Sequence, residues 1–210
     1  MPQYVIKTLL YIMVFFLLCS CDSGESNDLP IYGRFPDFLL TDHKGNTIQT
    51  EDVRDKVKLV NFIFTNCTEF CPTLTPRMTV VQERLQEQEL LGEKAVILSF
   101  TVDPEYDTPQ QLMIYAEKYG AQYPHWRFIT GEPDQLKDVI THNLKLSYGQ
   151  TKKAYIHIHE DGSNHEHEYG VFHTNRIVLV DRNDMVRFYY DGIADWDPSR
   201  IIDNIRELTG

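Results

Sequence analysis

Cys67 and Cys71 are the residues whose spacing most directly implies chemistry. They follow the apolar run Lys58 to Thr65 and stand immediately before Pro72, which suits the first turn of a helix. A Cys-x-x-x-Cys at such a strand-to-helix junction places two thiols within one helical turn. The partial positive charge of a helix N-terminus favours thiolate over thiol. Thiolate is both a metal ligand and a redox nucleophile, so the pair points to copper, to disulfide chemistry, or to both. A second group of candidate donors lies further on, where His157/His159 and His165/His167 each have i, i+2 spacing. On a strand that spacing puts both rings on one face and makes an auxiliary Cu(II), Zn(II) or Ni(II) site conceivable. A solvated acidic hairpin loop with incidental histidines accounts for the same residues.

The elements that position these groups belong to a chain of 210 residues, enough for one medium domain with short extras and a core that needs no disulfide to hold it. Twenty basic against thirty-one acidic side chains give a net charge of -11, which excludes a nucleic-acid phosphate backbone as the expected partner. A cationic or metal-bearing partner fits better.

At the N-terminus Lys7 precedes the apolar segment Leu9 to Leu18, then Cys19-Ser20-Cys21 and the polar stretch Asp22 to Asp28. That segment is short for a membrane span and has the length of a signal-peptide core. Leu18-Cys19-Ser20-Cys21 resembles a bacterial lipobox. The resemblance implies a signal peptide over residues 1–20 and a lipid-modified Cys21 at the mature N-terminus. Acyl chains anchor by methylene burial, at about 0.8 kcal/mol each. The expected location is the cell membrane, with the domain on the extracytoplasmic side; an uncleaved anchor helix would export the domain equally. Cys67 and Cys71 are then the cysteines left in the mature domain. An exported pair can be a structural disulfide, but closing so short a loop contributes only about 2 kcal/mol.

Residues 21–34, rich in Ser, Gly, Asn and Asp, read as a tether, and 35–210 as the folded domain. Phe38 to Thr41 and Thr47 to Gln49 flank a Gly-containing turn and predict a hairpin. Lys58 to Thr65 and Ala95 to Val102 read as strands of a covered parallel sheet. Helical periodicity runs through Leu74, Met78, Val81 and Leu85. Thr108-Pro109-Gln110-Gln111 has the form of a capping box opening a second helix. Trp126 to Ile129 is a short strand, Pro133 to Leu144 a helix, Arg176 to Val180 and Met185 to Tyr190 a hairpin, and Asp197-Pro198 the start of a last helix. This order predicts an α/β, thioredoxin-like sandwich with an added N-terminal β-hairpin.

Three blocks carry a family resemblance. They are Phe62-Ile-Phe-Thr-Asn-Cys67-Thr-Glu-Phe-Cys71-Pro72, then Ser99-Phe-Thr-Val-Asp103-Pro-Glu-Tyr-Asp107-Thr-Pro109, then Phe172-His173 leading into Ile177-Val-Leu-Val-Asp181. Together, in this order, they resemble the Sco/SenC family from roughly Phe35 to the C-terminus. The resemblance implies a membrane-anchored, thioredoxin-fold copper metallochaperone for assembly of the dinuclear copper centre of cytochrome c oxidase subunit II. It carries copper ligation to Cys67, Cys71 and His173. Two thiolates suit Cu(I), and an added imidazole makes a set able to hold Cu(II) as well. Zinc in a structural role usually takes four protein ligands, and three strong candidates are evident here.

Where the resemblance places the cis-proline loop of thioredoxin-type exchangers, this chain has His173-Thr174-Asn175. It departs from the family in having Thr68 where proline often follows the first cysteine; Pro72 is kept. Asp103 is a candidate outer-sphere or copper-entry residue, or else a carboxylate that caps the following turn. The alternative function is a thiol-disulfide oxidoreductase that reduces the cysteines of the oxidase copper site or serves redox signalling, with Cys67 attacking and Cys71 resolving. A peroxiredoxin-like peroxidase is a third reading, weakened by a second cysteine only one turn from the first. Expected partners are cytochrome c oxidase subunit II, another copper chaperone or thiol reductant, and the membrane through the lipid anchor.

Overall fold

The computed structural model describes residues 29–151, 155–158, 164–167 and 170–210, with backbone alone described for residues 148, 150 and 151 and for the strands between 155 and 173. The signal peptide, Cys21 and most of the expected tether lie outside the described residues.

One eight-stranded sheet organises the chain, in the order β1-β12-β11-β4-β5-β6-β2-β3. Its centre is parallel: β4 (Val57–Ile63), β5 (Ala95–Thr101) and β6 (Trp126–Thr130). Every residue of β4 and β5 is buried, as continuous apolar runs covered on both faces require. β11 (Arg176–Val180) pairs antiparallel with β4 and with β12 (Met185–Asp191), and β1 (Gly33–Arg34) adds to the far side of β12. On the other flank β2 (Leu39–Asp42) and β3 (Thr47–Gln49) form a hairpin, and β2 also pairs with β6. The Asp42 carboxylate accepts from the N–H groups of Lys44 and Asn46 at 2.9 and 3.0 Å, closing that hairpin as an Asx turn.

The folded part begins earlier than the composition of residues 21–34 suggests. Arg187 donates to the carbonyls of Leu29 and Pro30, Tyr32 N–H donates to Val186, and Gly33–Arg34 is already strand. The backbone groups along the edge of β12 hold a segment whose polar composition alone reads as linker.

The helices are α1 (Cys71–Glu87), α2 (Pro109–Lys118), α3 (Pro133–Lys137), which continues as a π-turn over Asp138–Asn143, and α4 (Pro198–Thr209). Thr108 caps α2 through its side chain, and Asp197 caps α4 by accepting from Ser199 and Arg200. α1 buries Leu74, Met78, Val81 and Leu85, its predicted stripe. It is joined to α2 by the Thr75 and Tyr115 hydroxyls, 2.8 Å apart, and to α4 by Arg84 donating to Ser199. The three helices thus form one layer. Phe35, Phe38, Phe62 and Phe100 make an edge-to-face and tilted ring cluster elsewhere in the core.

Two short ribbons complete the chain: β7 (Tyr148–Thr151) with β10 (Gly170–His173), and β8 (Tyr155–Ile158) with β9 (Asn164–His167). The β8–β9 ribbon runs through the histidine-bearing segment, which the sequence allows as strand or as an acidic hairpin loop, whereas the sequence does not announce β7 and β10.

Candidate metal centre

β4 ends at Ile63, and residues 64–70 connect it to α1. Cys67 N–H donates to the Phe64 carbonyl at 3.1 Å, turning the chain at the strand end. The Phe70 carbonyl accepts from Thr73 and Leu74 at 3.0 and 2.8 Å, but no side chain caps α1. One of the donors at this helix terminus goes to sulfur instead: Cys71 N–H lies 3.4 Å from Cys67 Sγ. Neither cysteine is disulfide-bonded, and both are buried, Cys71 at 1% exposure and Cys67 at 8%.

Their electrostatics differ. Hydrogen bonding to the Cys67 sulfur, followed by burial, pushes the Cys71 thiol well above its ordinary range. The Cys67 sulfur thus receives the Cys71 backbone N–H at the helix terminus, while Cys71 keeps its proton. Two adjacent soft donors of this kind fit Cu(I).

Asp107 fixes the loop that presents Cys67. Its carboxylate accepts from Thr65 N–H at 3.2 Å, from the Thr65 hydroxyl at 2.5 Å and from the Thr101 hydroxyl at 2.5 Å. The end of β4 and the end of β5 are thus tied through one side chain. Burial raises the Asp107 carboxyl to about 7, against the pull of those donors. Sequence reasoning selected Asp103 and passed over Asp107, because nothing local distinguishes a buried acid from a surface one. Asp103 is itself fully buried. Its N–H donates to the Thr101 hydroxyl at 3.0 Å, and its carbonyl accepts from Tyr106 and Asp107 at 3.2 and 2.8 Å. Its main chain thereby forms the turn that delivers Asp107.

Tyr115 lies on the buried face of α2. Burial and the nearby cysteines raise its hydroxyl above the ordinary range, so it stays protonated and bonds Thr75, one turn after Cys71.

His173 closes β10, its backbone opposite Tyr148, and its side chain lies outside the described residues. The Asn175 carbonyl accepts from Gly192 N–H at 3.0 Å. A Cβ at Gly192 would lie 2.5 Å from Leu74 Cδ1 and 2.8 Å from the Asn175 oxygen, so only glycine fits between helix and strand end. Arg77 donates to the carbonyls of Gly192 and Ile193 at 2.6 and 3.0 Å. The first turns of α1 therefore hold the segment that follows His173. Among the described residues no three His, Cys, Asp or Glu side chains cluster to hold a metal, so the two thiols are the donors those residues supply. His157, His165 and His167 are placed by backbone register in β8 and β9, while His159 lies outside the described residues.

A model of the SCO1/SenC family matches residues 33–210. The SCO1 protein homolog of Bacillus subtilis (strain 168) is 30% identical over 205 residues, covering 98% of this chain and 97% of that protein. Among solved structures, a SCO1/SenC family lipoprotein from Bacillus anthracis str. Ames aligns with a TM-score of 0.69 at 26% identity, over 85% of this chain and 96% of that one. BsSco, a member of the Sco family of cytochrome c oxidase assembly proteins with an identified disulfide switch, aligns with a TM-score of 0.64 at 26% identity, over 84% of this chain and 94% of that one. These similarities agree with the thioredoxin-like α/β fold.

Proposed function

The chain belongs to the SCO1/SenC family, and from that premise we propose that it is a membrane-anchored copper metallochaperone for assembly of the dinuclear copper centre of cytochrome c oxidase subunit II. The observation that carries this reading is the unbridged pair Cys67 and Cys71 at the start of α1, joined by the Cys71 N–H to Cys67 Sγ contact. Copper is the cargo. Cys67 and Cys71 supply its soft donors and His173 the borderline one, a set that accommodates both Cu(I) and Cu(II).

Each neighbouring group has a task in this reading. Cys67 meets the metal first, being the more exposed of the two. Cys71 gives up its proton as it binds, because a coordinating thiol is deprotonated. Asp107 positions the loop through Thr65, and Asp103 acts in the outer sphere. Cys21 carries the lipid that holds the domain at the extracytoplasmic face of the membrane.

The inequality of the two thiols also favours a second reading, thiol-disulfide exchange. Cys67 thiolate would attack a disulfide of the oxidase copper site, and Cys71 would resolve the mixed disulfide. The partner would gain two electrons and two protons as two thiols, and Cys67 and Cys71 would end as a disulfide.

Titrating the reduced full chain with Cu(II), followed by thiolate-to-copper charge-transfer absorption, separates the readings. The chaperone gives a saturating band at one copper per chain that vanishes in the Cys67→Ser/Cys71→Ser variant. Absence of a stoichiometric, cysteine-dependent band sinks it.

A further inference from the structure

The histidine-rich segment is not absorbed by the copper site of the cysteines. Sequence spacing pairs histidines within a strand; the structure adds the register between strands. In the β8–β9 ribbon Tyr155 faces His167, Ile156 faces Glu166, His157 faces His165, and Ile158 faces Asn164. Directly opposed residues in an antiparallel pair share a face, and alternate residues along a strand share it too. One face of the ribbon therefore carries Tyr155, His157, His165 and His167, and the other Ile156, Ile158, Asn164 and Glu166. Three of the four positions on the first face are histidine, and none on the second.

We propose that His157, His165 and His167 form a second metal site, selective for Cu(II), on one face of the β8–β9 ribbon. Directly opposed Cβ atoms in such a ladder are about 4.5–5.5 Å apart, and i, i+2 neighbours roughly 7 Å apart. The register thus gathers three histidine positions on one face of the ribbon. Imidazole is a borderline donor that suits Cu(II), Ni(II) and Zn(II), and the Irving–Williams order puts Cu(II) ahead. Without thiolate the set has no preference for Cu(I), so it differs from the cysteine pair in the oxidation state it selects.

The site makes no use of Cys67, Cys71 or His173, so its failure and theirs are separable. The test is Cu(II) titration of the full-length Cys67→Ser/Cys71→Ser protein in detergent, followed by electron paramagnetic resonance. The expected result is one bound Cu(II) per chain with nitrogen hyperfine structure. Adding His165→Ala should weaken binding about tenfold or more, and adding Glu166→Gln, on the other face, should leave it unchanged. The proposal is overturned if the Cys67→Ser/Cys71→Ser protein binds no stoichiometric Cu(II). It is equally overturned if replacing His157, His165 and His167 together by alanine leaves its binding unchanged.

Discussion

Cys71 donates its backbone N–H to the sulfur of Cys67 across 3.4 Å, so the two cysteines are coupled before a metal or a disulfide joins them. The contact makes them unequal. Cys67 receives a donor at a helix terminus, whereas Cys71 is buried and holds its proton through its bond to the Cys67 sulfur.

Alkylation should read that inequality directly. Treating the reduced native protein with iodoacetamide near pH 8, with quantification by peptide mass spectrometry, should modify Cys67 about tenfold or more faster than Cys71. Equal rates in the folded protein would contradict the assignment.

Asp107 predicts an unusual pH dependence. Its folded-state value of about 7 lies above the ordinary aspartate value of 3.8, so the folded protein binds this proton more tightly than the unfolded chain. Its contribution is most favourable below about pH 4 and is lost as pH rises through about 7, a difference on the order of 4 kcal/mol. Asp107→Asn keeps an acceptor for Thr65 and has no charge to bury. The variant should lose less stability than the parent between pH 5 and 8, measured by denaturant unfolding. Parallel curves for the two proteins would contradict the burial argument.

The legible parts of the fold were those governed by short-range rules. Thr108-Pro109 and Asp197-Pro198 announce helix starts through caps that span three residues, and both are seen. The cysteine pair was legible for the same reason. Asp107 was not, because its significance comes from Thr65, which is 42 residues away along the chain. The ribbon register, which brings His157 opposite His165, is a relation between strands that spacing within each strand cannot express. The link from His173 to the cysteines came only through family resemblance; what the structure adds is the packing of Gly192 between Leu74 and Asn175.

Lys58 illustrates the same limit and yields a further prediction. It heads the apolar run of β4 yet is fully buried, donating to the Asp184 carboxylate and to the Asp181 carbonyl. Arg54 is 3.7 Å from the same Asp184. Lys58→Met strands Asp184 in the core and should cost about 3–5 kcal/mol. Lys58→Met/Asp184→Asn removes the stranded charge and keeps a residue that tolerates the positive φ of 61° at position 184, so it should recover much of the loss. Denaturant unfolding of the two variants is the check, and a loss under about 1 kcal/mol for Lys58→Met would show that the ion pair is dispensable.

Copper K-edge X-ray absorption on the full chain loaded with one equivalent of Cu(I) tests the central claim most directly. The account predicts two sulfur neighbours and one imidazole nitrogen. The sulfur neighbours should disappear in Cys67→Ser/Cys71→Ser, and the imidazole signal alone in His173→Ala. A wild-type spectrum with only nitrogen and oxygen neighbours, or one that His173→Ala leaves unaltered, would contradict it.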